Sequence, residues 1–190
     1  MVPLNAANVL TLVRISLIPV LAALLLSTLA ESDLLAAIVF VIASATDALD
    51  GWLARRRSEV TQFGKLMDPL ADKLLIIGAL VSLVSLDRLE AWVAMVIIAR
   101  EIAVTILRTI AAERGLVIAA SWLGKAKTVL QIAAVIALIA TTPSPTWVDG
   151  LVYAAVAVTI VSGADYFFGL RRRIDQQQRE RAASTTRSAA

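Results

Sequence analysis

The sequence has 190 residues, of which 59% are apolar and none is Cys or His, and its formal net charge is +3. Soluble domains are about 45–50% apolar, so with a mean hydropathy of +0.81 the chain carries more apolar surface than an aqueous core of this length can hide. The missing Cys and His exclude disulfides, thiolate nucleophiles, Cys/His zinc sites and histidine bases; acid–base work falls to Asp, Glu, Lys or Tyr, and any metal to oxygen ligands, which suit magnesium or manganese.

Apolar segments of the roughly 17–25 residues needed to cross a bilayer recur in chain order near 8–30, 34–56, 65–86, 90–113, 122–141 and 147–170. The expected fold is therefore all-α, a polytopic membrane protein of six transmembrane helices. The first segment does not read as a cleavable signal peptide, because Arg14 lies inside it and its apolar run is too long. Short polar breaks separate the segments, and the Lys/Arg residues gather in alternate ones. Arg55, Arg56, Arg57 and Lys65 follow the second segment, Arg114, Lys125 and Lys127 follow the fourth, and Arg171-Arg172-Arg173 follow the sixth. The opposite side offers Arg88 beside Asp33, Asp87, Glu90 and Asp149. Positive charge marks the cytoplasmic side, so both termini are expected there. Residues 1–174 read as one membrane domain and 175–190 as a polar, flexible cytoplasmic tail with some attraction for anionic headgroups.

The chemistry concentrates at the junction of the second and third segments. Asp47, Asp50, Gly51 and Ala54 fall at i, i+3, i+4 and i+7, and Gly64, Asp68 and Asp72 at i, i+4 and i+8, so each set shares one helix face. The short connection from Arg56 to Phe63 makes the two helices antiparallel neighbours and lets four carboxylates converge near their cytoplasmic end. Carboxylates so close repel, and charge at bilayer depth is costly; one or two divalent cations relieve both. The small residues on the same faces leave room for a ligand. The plainer alternative is four helix-end acids paired with Arg55–Arg57 and Lys65.

The pattern D-x-x-D-G-x-x-A-R-x8-G-x-x-x-D-x-x-x-D, complete here from Asp47 to Asp72, resembles the signature of the CDP-alcohol phosphotransferase family. That resemblance implies six transmembrane helices, a homodimer and an active site facing the cytoplasm of the cell membrane. It implies that Asp47, Asp50 and Asp68 bind Mg2+ or Mn2+, one or two ions per site, and that Asp72 touches the metal while acting as general base. It gives Gly51, Arg55 and Thr61 the role of holding the CDP part of CDP-diacylglycerol, with Gly64 allowing close approach, and Asn8 and Thr11 a further nucleotide-side contact. Asn8 could equally cap its helix.

Outside the motif, Asn8–Arg14, Arg100-Glu101-Ile102 with Leu107-Arg108, and Ser121-Trp122-Leu123-Gly124-Lys125-Ala126-Lys127-Thr128 resemble the branch of the family that makes phosphatidylglycerophosphate; Ser162–Tyr166 matches more loosely. The resemblance implies sn-glycerol 3-phosphate as acceptor. Its phosphate needs cations, for which Arg108, Lys125 and Lys127 are the candidates, and Arg108, lying in a span, is expected to meet an anion. Arg100 and Glu101 are adjacent, so they are expected on different faces, each paired with another residue. Inositol phosphate, phosphatidylglycerol and serine are the other acceptors weighed. From different classes, a small transporter or an inactive scaffold would place acids differently or lack the full set. The net charge of +3 could suggest nucleic acid as a partner, but the basic residues cluster at the ends of apolar segments, as in cytoplasmic loops of membrane proteins, which argues against it.

Overall fold

The computed structural model describes residues 6–29, 31–57, 62–113 and 122–188, with side chains described over 9–29, 31–46, 71, 73–112 and 122–176. The described backbone is helical throughout its long segments: α1 (Ala6–Leu25), α2 (Ser32–Arg57), α3 (Gln62–Ser85), α4 (Ala91–Glu113), α5 (Trp122–Ala140) and α6 (Thr146–Ser188). These apolar runs form helices because only a helix satisfies every backbone N–H and C=O within one segment when no water is at hand. Several of their hydroxyls are absorbed in the same way. Thr46 donates to the Ile42 carbonyl at 2.7 Å, Thr105 to Glu101 at 2.7 Å and Thr128 to Gly124 at 3.2 Å, back-bonding that keeps these three donors paired within their own helices.

Two boundaries depart from the sequence reading. α1 ends at Leu25, short of residue 30, and α6 continues past the apolar stretch through the polar tail to Ser188. The first difference follows from local bonds: the Leu29 amide donates to Ser27 Oγ at 3.3 Å and Ser32 Oγ to the Ser27 carbonyl at 3.3 Å, which turns the chain between α1 and α2.

α3 is the central element, packing against α1, α2, α4 and α5, while α6 packs on α5 and α4, and α2 also touches α1 and α5. Small residues permit the close approaches. Ala36, Ala43, Ala71 and Ala79 are fully buried, and a Cβ at Gly78 of α3 would come within 3.1 Å of Ile18 Cγ2 on α1. Phe40, Leu75, Leu83 and Ile139 fill the core beside them, while other large apolar side chains point outward, among them Leu34, Ile42, Met95, Ile106, Val129 and Phe168. Small residues at helix contacts and large apolar ones on the outer surface suit helices that pack within lipid. By length and composition, α5 and the 146–176 part of α6 are apolar enough to cross a membrane, and only 33% and 28% of these windows are buried.

At the end where α3 passes to α4, Asp87 at φ 54° closes α3, with the Arg88 amide returning to the Leu83 carbonyl at 3.0 Å. The turn directs Arg88 Nη1 to Asp33 Oδ1 at 2.9 Å. Trp92 and Tyr153 stack there with centroids 6.2 Å apart. The starts of α1, α3 and α5 and the ends of α2 and α4 lie at the opposite end, which carries the functional residues.

Candidate active site

The helical backbone places Asp47, Asp50, Gly51 and Arg55 in the last three turns of α2 and Gly64, Asp68 and Asp72 in the first three turns of α3. The spacing foreseen from sequence is thus a spacing on helices, and α2 and α3 are packed neighbours. The side chains of these seven residues and of Asn8 lie outside the described residues, as does Thr61 altogether. The donor chemistry suits a hard cation: four carboxylates on two adjoining helices, in a chain without His or Cys.

Beneath the α2 aspartates, α1 contributes two buried polar residues. Thr11 and Arg14 are each 1% exposed, and Arg14 Nε donates to the Ala43 carbonyl at 3.4 Å. Ala43 lies one helical turn before Asp47. A guanidinium so deep in an apolar bundle is retained only where it meets partners, and its place one turn from a run of acids supplies a reason. The sequence reading used Arg14 to argue against a signal peptide and as the end of the Asn8–Arg14 resemblance, and gave it no role at the site.

Beside the α3 aspartates is a cavity of 460 Å³, lined from four helices by Lys73, Arg100, Arg108, Lys125 and Lys127, together with Glu101, Ser162 and Tyr166. Lys73 directly follows Asp72 on α3, so the cavity wall begins one residue from the expected base. The structure brings Arg108, Lys125 and Lys127, the cations nominated from sequence, together on one cavity, and it adds Lys73 and Arg100.

The cations are not equivalent. Lys127 is 6% exposed and donates from Nζ to Glu101 Oε1. Arg100 Nη2 donates to Ser162 Oγ at 2.6 Å, and Arg100 Nη1 approaches Glu101 Oε1 at 3.4 Å. Arg100 and Glu101 thus each have a partner of their own, Ser162 and Lys127, as expected; side chains this long also reach across the 100° between adjacent helix positions, which brings the four into one cluster. Arg108 and Lys125 are exposed. Arg108 meets no described carboxylate; its guanidinium sits over the Tyr166 ring, 5.9 Å from the centroid. It lies near the end of α4, where a long side chain can lift its charge toward water and an aromatic face supplies the attraction. Chemically, the cavity offers a hydrogen-bonded cluster of Arg100, Glu101 and Lys127 behind two exposed cations, Arg108 and Lys125, a lining whose charge suits an anion.

A second cavity, of 610 Å³, lies at the other end among Asp87, Arg88, Glu90, Asp149 and Tyr153. Its charge is the wrong sign for an anion.

The family model for CDP-alcohol phosphatidyltransferases aligns with residues 4–161, and the chain belongs to that family. Its exposed apolar helices and this membership make it a membrane protein. It is 44% identical over 180 residues to the CDP-diacylglycerol–glycerol-3-phosphate 3-phosphatidyltransferase of Bacillus subtilis (strain 168), covering 86% of this chain and 93% of that one. A probable phosphatidylglycerophosphate synthase of Mycobacterium tuberculosis (strain H37Rv) is 40% identical over 167 residues, 85% and 79% of the two chains. The CDP-diacylglycerol–glycerol-3-phosphate 3-phosphatidyltransferase of Salmonella choleraesuis (strain SC-B67) is 40% identical over 163 residues, 83% and 86%.

Proposed function

We propose that this chain transfers the phosphatidyl group of CDP-diacylglycerol to sn-glycerol 3-phosphate, releasing CMP and forming phosphatidylglycerophosphate. The observation that carries the reading is the cationic cavity that begins at Lys73, next to Asp72. A phosphate-bearing acceptor needs such a cavity; serine or a lipid acceptor does not. The names of the relatives point the same way.

In this reading Arg108 and Lys125 capture the acceptor phosphate from the aqueous side, Lys73 and Lys127 adding charge behind it, while Glu101 keeps Lys127 in place. Holding the phosphate orients the sn-1 hydroxyl toward the aspartates. Asp72 accepts its proton as the oxygen attacks the phosphorus bearing the diacylglycerol; the new P–O bond forms, and the bond to the CMP phosphate breaks with its electron pair leaving on CMP. Asp47, Asp50 and Asp68, with Asp72, would hold one or two divalent ions, Mg2+ or Mn2+, which supply neutralising charge for the pyrophosphate. Arg55, with a planar fork of donors, and Gly51, Thr61, Gly64, Asn8 and Thr11 would seat the CDP end.

The same reading gives all six helices as spans, with 1–174 as the catalytic domain. Residues 175–190, both termini and the site would lie at the cytoplasmic face of the inner or plasma membrane, and the working unit would be a homodimer. The excess of Lys and Arg at the site end supports the orientation. The test is transfer of label from radiolabelled glycerol 3-phosphate into a lipid-soluble phosphate ester by the purified protein with CDP-diacylglycerol. Label confined to the aqueous phase would refute the acceptor.

A further inference from the structure

Tyr166 and Arg100 line the cationic cavity, and each carries a buried polar atom with no hydrogen-bond partner among the described residues: the Tyr166 hydroxyl and Arg100 Nε. Native structures hold few such groups, because leaving one unpaired forfeits its hydration with no return. A Cβ at Gly163 would fall 3.2 Å from Arg100 Cγ, so the missing side chain eases the close passage of the Arg100 stem over α6 to Ser162. Arg108 covers the Tyr166 ring from α4. The other hydroxyls around the cavity are engaged: Thr105 donates to the Glu101 carbonyl at 2.7 Å, Thr128 to the Gly124 carbonyl at 3.2 Å, and Ser162 accepts from Arg100 at 2.6 Å.

We infer that the Tyr166 hydroxyl is a specificity-determining contact, reading the secondary hydroxyl of a phosphorylated polyol whose phosphate is held by the cavity's cations. The assignment rests on the acceptor reading above and adds to it the feature that tells one phosphorylated alcohol from another. The division of labour follows from donor chemistry. Arg and Lys side chains only donate and carry charge, which suits phosphate, whereas a phenol both donates and accepts, which suits a neutral hydroxyl. A site with a buried group aimed at a hydroxyl rejects an analogue lacking it, since the group is then left unpaired.

The experiment compares kcat/KM for glycerol 3-phosphate and for 3-hydroxypropyl phosphate, which keeps the attacking primary hydroxyl and lacks the secondary one, in wild type and in Tyr166→Phe. Wild type should favour glycerol 3-phosphate by on the order of tenfold, the value of one hydrogen bond in a buried site. Tyr166→Phe should bring the ratio near one by slowing the glycerol 3-phosphate reaction alone, with KM for CDP-diacylglycerol unchanged. A wild type that treats the two acceptors alike overturns the inference without any variant. Discrimination that survives in Tyr166→Phe removes the role from Tyr166 while leaving the acceptor reading intact. A wild type inactive with glycerol 3-phosphate overturns both.

Discussion

At the end of the bundle where α3 passes to α4, the ion pair Arg88–Asp33 keeps 18% and 33% of its side chains exposed, and the 610 Å³ cavity beside it is lined by Asp87, Glu90 and Asp149. At the opposite end, the Lys127–Glu101 pair is 8% and 12% exposed, and the smaller cavity of 460 Å³ is lined by five cations. The larger space is the one without a function that its chemistry can support. Charge sign, burial and the nearness of Asp72 decide between the two cavities, and volume does not. The two ion pairs differ for the same reason: one is a surface pair that water already serves, the other a desolvated pair whose partners depend on each other.

Substitutions can break this comparison at several points. The largest effect belongs to the aspartates. Asp72→Asn should lower turnover by about 10²- to 10⁴-fold with little loss of CDP-diacylglycerol binding, measured by CMP release and by lipid-analogue binding; near-normal turnover would remove Asp72 as the base. Chelation by EDTA should stop the reaction, and added magnesium or manganese should restore it. Glu101→Ala strands Lys127 in an apolar bundle and should destabilise the fold by roughly 3–5 kcal/mol, read by thermal unfolding in detergent. Lys125→Ala removes an exposed cation from the cavity and should raise KM for glycerol 3-phosphate by on the order of tenfold, the loss of one charge-assisted contact, while KM for the lipid substrate holds. Arg88→Ala at the far end should cost about 0–1 kcal/mol and leave both KM values alone. An Arg88→Ala enzyme with a raised acceptor KM would erase the distinction between the two ends.

The aspartate helices were legible because helical periodicity is local: Asp47, Asp50, Asp68 and Asp72 are placed by spacing within single segments. Arg108, Lys125 and Lys127 could be nominated as cations near the site for the same reason, helped by the resemblance. Lys73 and Tyr166 could not, since what gives them meaning is the meeting of α3, α4, α5 and α6, a long-range fact that no window of sequence contains. Lys73 reads locally as one more helix lysine, although its place directly after Asp72 was the signal available. Arg100 and Glu101 were each expected to find another partner, but which partners, Ser162 and Lys127, and their joining in one cluster eased by Gly163, depend on the meeting of α4, α5 and α6. The sequence left the polar tail between a frayed helix end and disorder, and the continuation of α6 to Ser188 was not decided by it because apolar runs mark where lipid ends, not where a helix must end.

The most direct measurement is CMP release by the purified protein with CDP-diacylglycerol and magnesium across glycerol 3-phosphate, inositol phosphate, serine and phosphatidylglycerol. Release that requires glycerol 3-phosphate and stops with EDTA is the expected result. Release with serine or phosphatidylglycerol in place of glycerol 3-phosphate would contradict the assignment of the cationic cavity to an acceptor phosphate.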